Sequence, residues 1–289
     1  MEYEGQICRA PMERASFMLP VAVGCSYNAC KFCTLFKHLQ YRILPLSQVE
    51  QEILRVKDLG GDPARVFLGD GNAFGLPTEH LLEILALIKK HFPSCREVNM
   101  DATVTNISRK SNSELLALAQ AGVNCLYLGI ESGLDDVLLF MRKDHCIDEA
   151  YRQIQRIKDC GLVYAAHIMT GISGKGRGLE NAEKTAEFLN RTAPCHVVNF
   201  SLFLHRSAPL YKDIEAGRFI PADELENLLE ERRLLELLDV PGMDYDGFHD
   251  FVLFRVRGRL PEDRSRMLAE TDAAIAKNSG TEPVFSWVS

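Results

Sequence analysis

Apolar positions along the chain switch between short continuous runs and i, i+3, i+4 spacing, and a turn residue marks most switches. Residues 17–23 are a run of strand formers that Gly24 breaks. Ser47 and Glu50 read as a capping box for a helix through residue 57, where Val49, Ile53 and Leu54 recur before Gly60 and Gly61. The pattern then predicts a strand over 65–68, a helix over 78–91 behind Pro77, and a strand over 97–100. Ser111 with Glu114 caps a helix closing at Gly122, followed by a strand over 125–130 and a helix over 147–160 that Gly161 ends. A strand over 163–169, a helix over 179–190 and a strand over 197–204 complete six strand and helix units.

Such an alternation implies parallel pairing, because each return to the same sheet needs a crossover helix. The expected fold class is α/β, a partial (β/α)6 TIM-like barrel over residues 1–215. After Pro209 two amphipathic helices, over 223–238 and over 261–276 with Pro261 at its start, form a C-terminal helical extension, residues 216–289, packed on the barrel. The tail after Lys277 is expected to be loosely held.

At 289 residues, with 46% hydrophobic and 25% charged positions, the chain builds its core without disulfides or a structural metal. A net charge of −7 disfavours a long nucleic-acid backbone as partner and favours a small-molecule substrate. Residues 1–20 lack the apolar core of a signal peptide, and no run is long enough to span a membrane, so a cytoplasmic protein is expected. Nine cysteines, an odd number, then point to metal binding rather than a disulfide framework.

Cys25, Cys30 and Cys33 lie in the segment GCSYNACKFCTLFK, a C-x4-C-x2-C spacing on the loop leaving the first strand. Three thiolates on one loop reach three corners of a single iron–sulfur cubane and leave its fourth iron open to an outside ligand. The competing readings are a zinc knuckle completed by His38 or a fourth cysteine, and thiols that merely pack. No second C-x2-C provides the other half of a zinc site, and the loop is polar. Polar residues at other strand exits, where barrel enzymes place ligands, nominate Asp101, His167, His205 and Arg206 as substrate-side groups. His249 either caps the barrel mouth or packs helix against loop. Gly69, Gly71 and Gly75 are spaced G-x-G-x3-G, one residue off a dinucleotide fingerprint, and follow a second strand rather than opening the fold.

The cysteine spacing, its position after a first strand, and Phe32 immediately before the third cysteine resemble the radical S-adenosylmethionine (SAM) superfamily, whose usual loop is one residue shorter between the first two cysteines. That resemblance implies a [4Fe–4S] cluster on Cys25, Cys30 and Cys33 and a bound SAM. It implies that Gly69, Asp70 and Gly71 meet SAM's methionine amino group, and that Glu131 and Ser132 contact its ribose and carboxylate. Ile168, with Ile172 as the alternative, would lie against the adenine, and Gly171 would permit the turn there. The implied activity is reductive cleavage of SAM to a 5′-deoxyadenosyl radical that takes hydrogen from a small molecule, a nucleoside or a tetrapyrrole. A low-potential donor such as flavodoxin or ferredoxin would supply the electron. Two other readings stand beside it: an iron–sulfur or zinc scaffold without SAM turnover, and a nucleotide-dependent oxidoreductase.

Overall fold

The structure is a computed structural model that describes residue 4 and residues 8–288. The chain is mixed α/β with a sheet of eight strands, of the partial TIM-like barrel class. It divides into two compact units, one of residues 1–28, 35–128 and 152–164, the other of residues 29–34, 129–151 and 165–289.

In the first unit, β1 (Phe17–Pro20) leads to the short antiparallel pair β2 (Ala22–Val23) and β3 (Arg42–Ile43) and to α1 (Leu46–Asp58). Then come β4 (Arg65–Gly69), α2 (Thr78–His91), β5 (Glu97–Ala102), α3 (Val104–Ser108), α4 (Asn112–Gln120) and β6 (Val123–Glu131), whose residues from 129 on belong to the second unit. The strands run in the order β1-β4-β5-β6 and pair in parallel. Val66, Phe67 and Leu68 are fully buried, as expected of a parallel strand covered on both faces. The capping box on α4 forms with both reciprocal bonds between Ser111 and Glu114. The one expected at Ser47 and Glu50 does not: Pro45 takes the N-cap of α1 and no side chain caps it. Gln48 and Val49 bond to the Pro45 carbonyl instead, so the helix begins two residues earlier than a cap at Ser47 requires.

The second unit continues with α5 (Asp135–Phe140), the helix α6 (Ile147–Asp159), whose later residues belong to the first unit, and β7 (Val163–Thr170). It adds α7 (Gly178–Thr192), β8 (His196–Ser201), β9 (Leu204–His205), α8 (Tyr211–Glu215), α9 (Glu224–Leu237), β10 (Met243–His249), β11 (Phe254–Leu260), α10 (Arg264–Asn278) and β12 (Trp287–Val288). Strand order is β7-β8-β10-β11, with β10 parallel to β8 and antiparallel to β11.

Residues 216–289 therefore carry three strands, two of them in the large sheet, as well as the expected helices. The pattern of β11 announces it: Phe254, Val256 and Leu260 alternate with Arg255, Arg257 and Arg259, a period of two. The tail is also tied down. Ser286 is buried and hydrogen-bonds Glu224, and Trp287 and Val288 pair with Leu204 and His205. Among the described residues no helix is long and apolar enough to cross a membrane.

Candidate functional site

In the first unit the end of β4 lies against the start of the cysteine loop. Gly71 has φ +54°, and a Cβ there would stand 2.3 Å from the Gly24 carbonyl oxygen and 2.8 Å from the Cys25 Cα. Only glycine fits both the left-handed backbone and that approach. Asn72, which the sequence reading passed over, locks the contact: its side-chain oxygen accepts from the Ser26 N–H at 3.0 Å and the Ser26 hydroxyl at 3.1 Å, and its amide donates to Asn106 at 3.1 Å. The signal was available, since an amide directly after Gly-Asp-Gly suits a loop clasp.

Asp70 sits between these glycines with a buried Oδ1 that has no protein partner. Burial pushes its carboxyl up to about 6, against a backbone bond from Gly71. Asp101, at the end of β5, is pushed to about 8, first by burial and then by Asp70 and Glu13. Glu13 is itself buried and accepts from Tyr127 at 2.6 Å and Asn99 at 2.9 Å.

Because the folded chain holds a proton on Asp101 that the unfolded chain has released, stability falls as pH climbs from the ordinary carboxylate range toward 8. Asp101→Asn removes this loss. Its melting temperature should exceed the parent's by a margin that widens between pH 5 and pH 8, measured by calorimetry. A margin that stays constant would identify Asp101 as an ordinary ionised acid.

In the second unit the segment 29–34 is pinned through Lys31. Its N–H donates to Met141 at 3.0 Å, its carbonyl accepts from Leu210 at 2.9 Å, and its ammonium meets Asp213 at 2.8 Å over the Phe140 ring. Phe32 is buried among Leu134, Met141, Ile172, Leu210 and Phe219, with Cys30 and Cys33 packed on the rim of that cluster. Cys25, Cys30 and Cys33 are all partly exposed, and none of the nine cysteines forms a disulfide. Among the described residues, no group of three or more His, Cys, Asp or Glu side chains stands close enough together to hold a metal ion. Three thiols with solvent access nonetheless match the donor chemistry of an iron–sulfur cluster.

Glu131 ends β6 with φ +65°, unusual for a non-glycine residue. Its Oε1 meets Lys143 at 3.2 Å, both side chains being buried, while Oε2 is buried without a partner. Burial alone would lower the Lys143 pKa, but Glu131, Cys30 and Asp144 outweigh it and hold the ammonium charged. Lys143 escaped sequence reading because nothing in its local pattern marks it. Ser132 is fully buried and bonds Asn181 at 2.5 Å. Ile168 and Ile172 are buried on either side of Gly171, whose φ is +78°.

Of the remaining candidates, His167 lies edge-on to Phe200, and burial, then His196 and Lys143, bring it down to about 4, so it is neutral at physiological pH. His205 pairs with Val288 in a short strand, and Arg206 is exposed beside it. His249 is fully buried at the end of β10, between Glu224 at 3.0 Å and Glu231 at 2.9 Å. It packs strand against helix. Burial opposes its charge, yet Glu231 and Glu224 raise it to about 10.

Orphaned carboxylate oxygens, at Asp70 in the first unit and at Glu131 in the second, each lack a protein donor, and Gly71 lets backbone pack closely beside Asp70. A profile of the Radical SAM superfamily matches residues 19–189. Heme chaperone HemW of Bacillus subtilis (strain 168) is 25% identical over 78% of this chain and 59% of its own length. A tRNA-2-methylthio-N(6)-dimethylallyladenosine synthase of Chlorobium luteolum is 26% identical over 78% of this chain and 50% of its own. This chain thus spans between half and three-fifths of these curated relatives. Among solved structures, methylornithine synthase (PylB) superposes with a TM-score of 0.56 at 17% identity, over 78% of this chain and 64% of that one.

Proposed function

The chain belongs to the radical SAM superfamily, whose members use a [4Fe–4S] cluster and SAM, and from that premise we propose that it performs radical catalysis on a small-molecule substrate. When bound, the cluster supplies the electron that divides SAM into methionine and a 5′-deoxyadenosyl radical able to take hydrogen from substrate. Cys25, Cys30 and Cys33 provide the three thiolates. Asp70, with Gly69 and Gly71, receives the amino group of SAM, Glu131 and Ser132 its ribose and carboxylate, and Ile168 its adenine beside the turn at Gly171. Phe32 anchors the cysteine segment in the apolar cluster against which Cys30 and Cys33 pack.

The observation that carries this reading is that Asp70 and Glu131, each at a strand end in its own unit, keep a buried oxygen without a protein partner. Leaving such atoms unpaired costs about 1–3 kcal/mol apiece, a cost that a hydrogen-bonding ligand removes. Asp101, protonated at neutral pH, and His167, neutral there, are the proposed hydrogen-bonding groups toward substrate. His205 and Arg206 are the outer candidates.

The proposed substrate is a tetrapyrrole, supported by the similarity to a heme chaperone. The net charge of −7 disfavours the tRNA that another relative's name carries. A low-potential flavodoxin or ferredoxin is the proposed electron donor, and nine cysteines outside any disulfide suit a cytoplasmic location.

The anaerobically reconstituted chain, given SAM and dithionite, should release 5′-deoxyadenosine and methionine. Deuterium from a labelled tetrapyrrole should then appear in the 5′-deoxyadenosine. A scaffold would bind iron and release neither product, whereas a nucleotide-dependent oxidoreductase would consume NAD(P)H without SAM.

A further inference from the structure

Helix α9 brings a buried carboxylate to the exits of two strands. Glu230 is 2% exposed. Its Oε2 accepts from the Gly171 backbone N–H at 2.8 Å, just past β7. Its Oε1 accepts from the Asn181 side-chain amide at 2.6 Å, and Asn181 in turn accepts from the Ser132 hydroxyl at 2.5 Å, just past β6. The same side of α7 holds the next residue, since Thr185 accepts from the Gly133 N–H at 2.9 Å.

The fit around this carboxylate is close. A Cβ on Gly178, the first residue of α7, would come within 3.1 Å of the Glu230 Cβ, and one on Gly171 would meet Asn227 Oδ1, one turn earlier on α9, at 2.5 Å. Gly171, with φ +78°, can turn here only because it carries no side chain, and Glu230 fixes where its N–H points. A single acid therefore ties together Gly171 and Ser132, two residues 39 positions apart in sequence and contributed by different strands.

We propose that Glu230 is a positioning residue for SAM, holding the exits of β6 and β7 in one fixed geometry. The proposal rests on the reading of Ser132 and Gly171 as SAM contacts. Glu230 touches no reacting atom. It acts through the Gly171 backbone on one side and through Asn181 and Ser132 on the other, as an outer partner orients an inner ligand.

Burial pushes the Glu230 carboxyl up to about 7, so a charge here costs stability at neutral pH. Glu230→Gln, which keeps the shape and one acceptor, should therefore fold as well as the parent. Glu230→Leu removes both acceptors at similar volume.

The test compares SAM affinity, by equilibrium dialysis of the reconstituted enzyme, with iron content, melting temperature, and hydrogen–deuterium exchange of the peptide containing Gly171. Glu230→Leu should weaken SAM binding about 10-fold and speed exchange at Gly171, with parental iron content. Glu230→Gln should restore most of the affinity. Parental SAM affinity in Glu230→Leu, or a loss that simply follows the melting temperature in both variants, overturns the proposal.

Should Glu230→Leu fail to fold, Asn181→Ala cuts the arm to Ser132 while leaving Glu230 in place, and parental affinity there is equally fatal. Glu131→Gln and Ser132→Ala separate the two levels. If both bind SAM as the parent does, the reading of the site falls and the proposal with it. If both weaken binding while Glu230→Leu does not, the proposal alone falls.

Discussion

Replacing Cys25, Cys30 or Cys33 by alanine should each time leave a protein that folds, fails to retain four irons, and releases 5′-deoxyadenosine at least ~10³-fold more slowly, about 4 kcal/mol in the barrier. Folding should survive because all three thiols are partly exposed and the segment is held by Lys31 and Phe32 instead. Alanine at Cys146 or Cys195, both exposed, supplies the control and should change neither quantity. Iron and sulfide analysis beside product chromatography makes the measurement. A Cys30→Ala protein with full iron and undiminished product would remove the cysteine loop from the chemistry.

Lys143→Met carries the second large effect. Lys143 and Glu131 are 6% and 8% exposed at their side chains, so removing the ammonium strands a carboxylate with little water to replace it. Breaking a buried pair from one side costs about 3–5 kcal/mol. Denaturant unfolding should show a loss of that order, and Glu131→Gln added to Lys143→Met should recover more than half of it, because the stranded charge is gone. If the double variant is no more stable than the single one, the Lys143 ammonium is not what stabilises Glu131. The lesion should reach SAM as well, since Glu131 would no longer be held in its strained conformation at the end of β6.

What could be read in the sequence was local. The helix Thr78–His91 is bounded as its pattern indicates, and Ser111 with Glu114 forms the reciprocal cap that its spacing implies. The same logic failed at Ser47 and Glu50 because Pro45 reached the N-cap first, a competition two residues away that the motif does not register. β10 and β11 were passed over although Arg255, Arg257 and Arg259 alternate with apolar residues. With arginine at every second position and glycine at 258, only three apolar residues carry that period.

At the site, the residues near the cysteines and at strand ends could be nominated because they sit within or beside recognisable segments. Their partners could not. Lys143 comes 12 residues after Glu131, and Glu230 comes 59 after Gly171. Lys143 follows α5 and Glu230 lies on α9, and only the tertiary fold brings each within hydrogen-bond reach of its partner, a distance that no local periodicity encodes.

The arginines of β11 have one more effect. β11 is the last strand of its sheet, the kind of border along which a second chain could be recruited, and part of it is already covered, since the Arg257 carbonyl accepts from Arg266 and the Arg259 N–H donates to Asp263. Because Arg255, Arg257 and Arg259 share one face of it, a twin laid alongside in antiparallel register would set guanidinium against guanidinium. Within one chain Asp246 neutralises Arg255 at 2.6 Å, but Arg257 and Arg259 both lie on the exposed side of the strand. Like charges so placed disfavour pairing of this border with a second copy of itself.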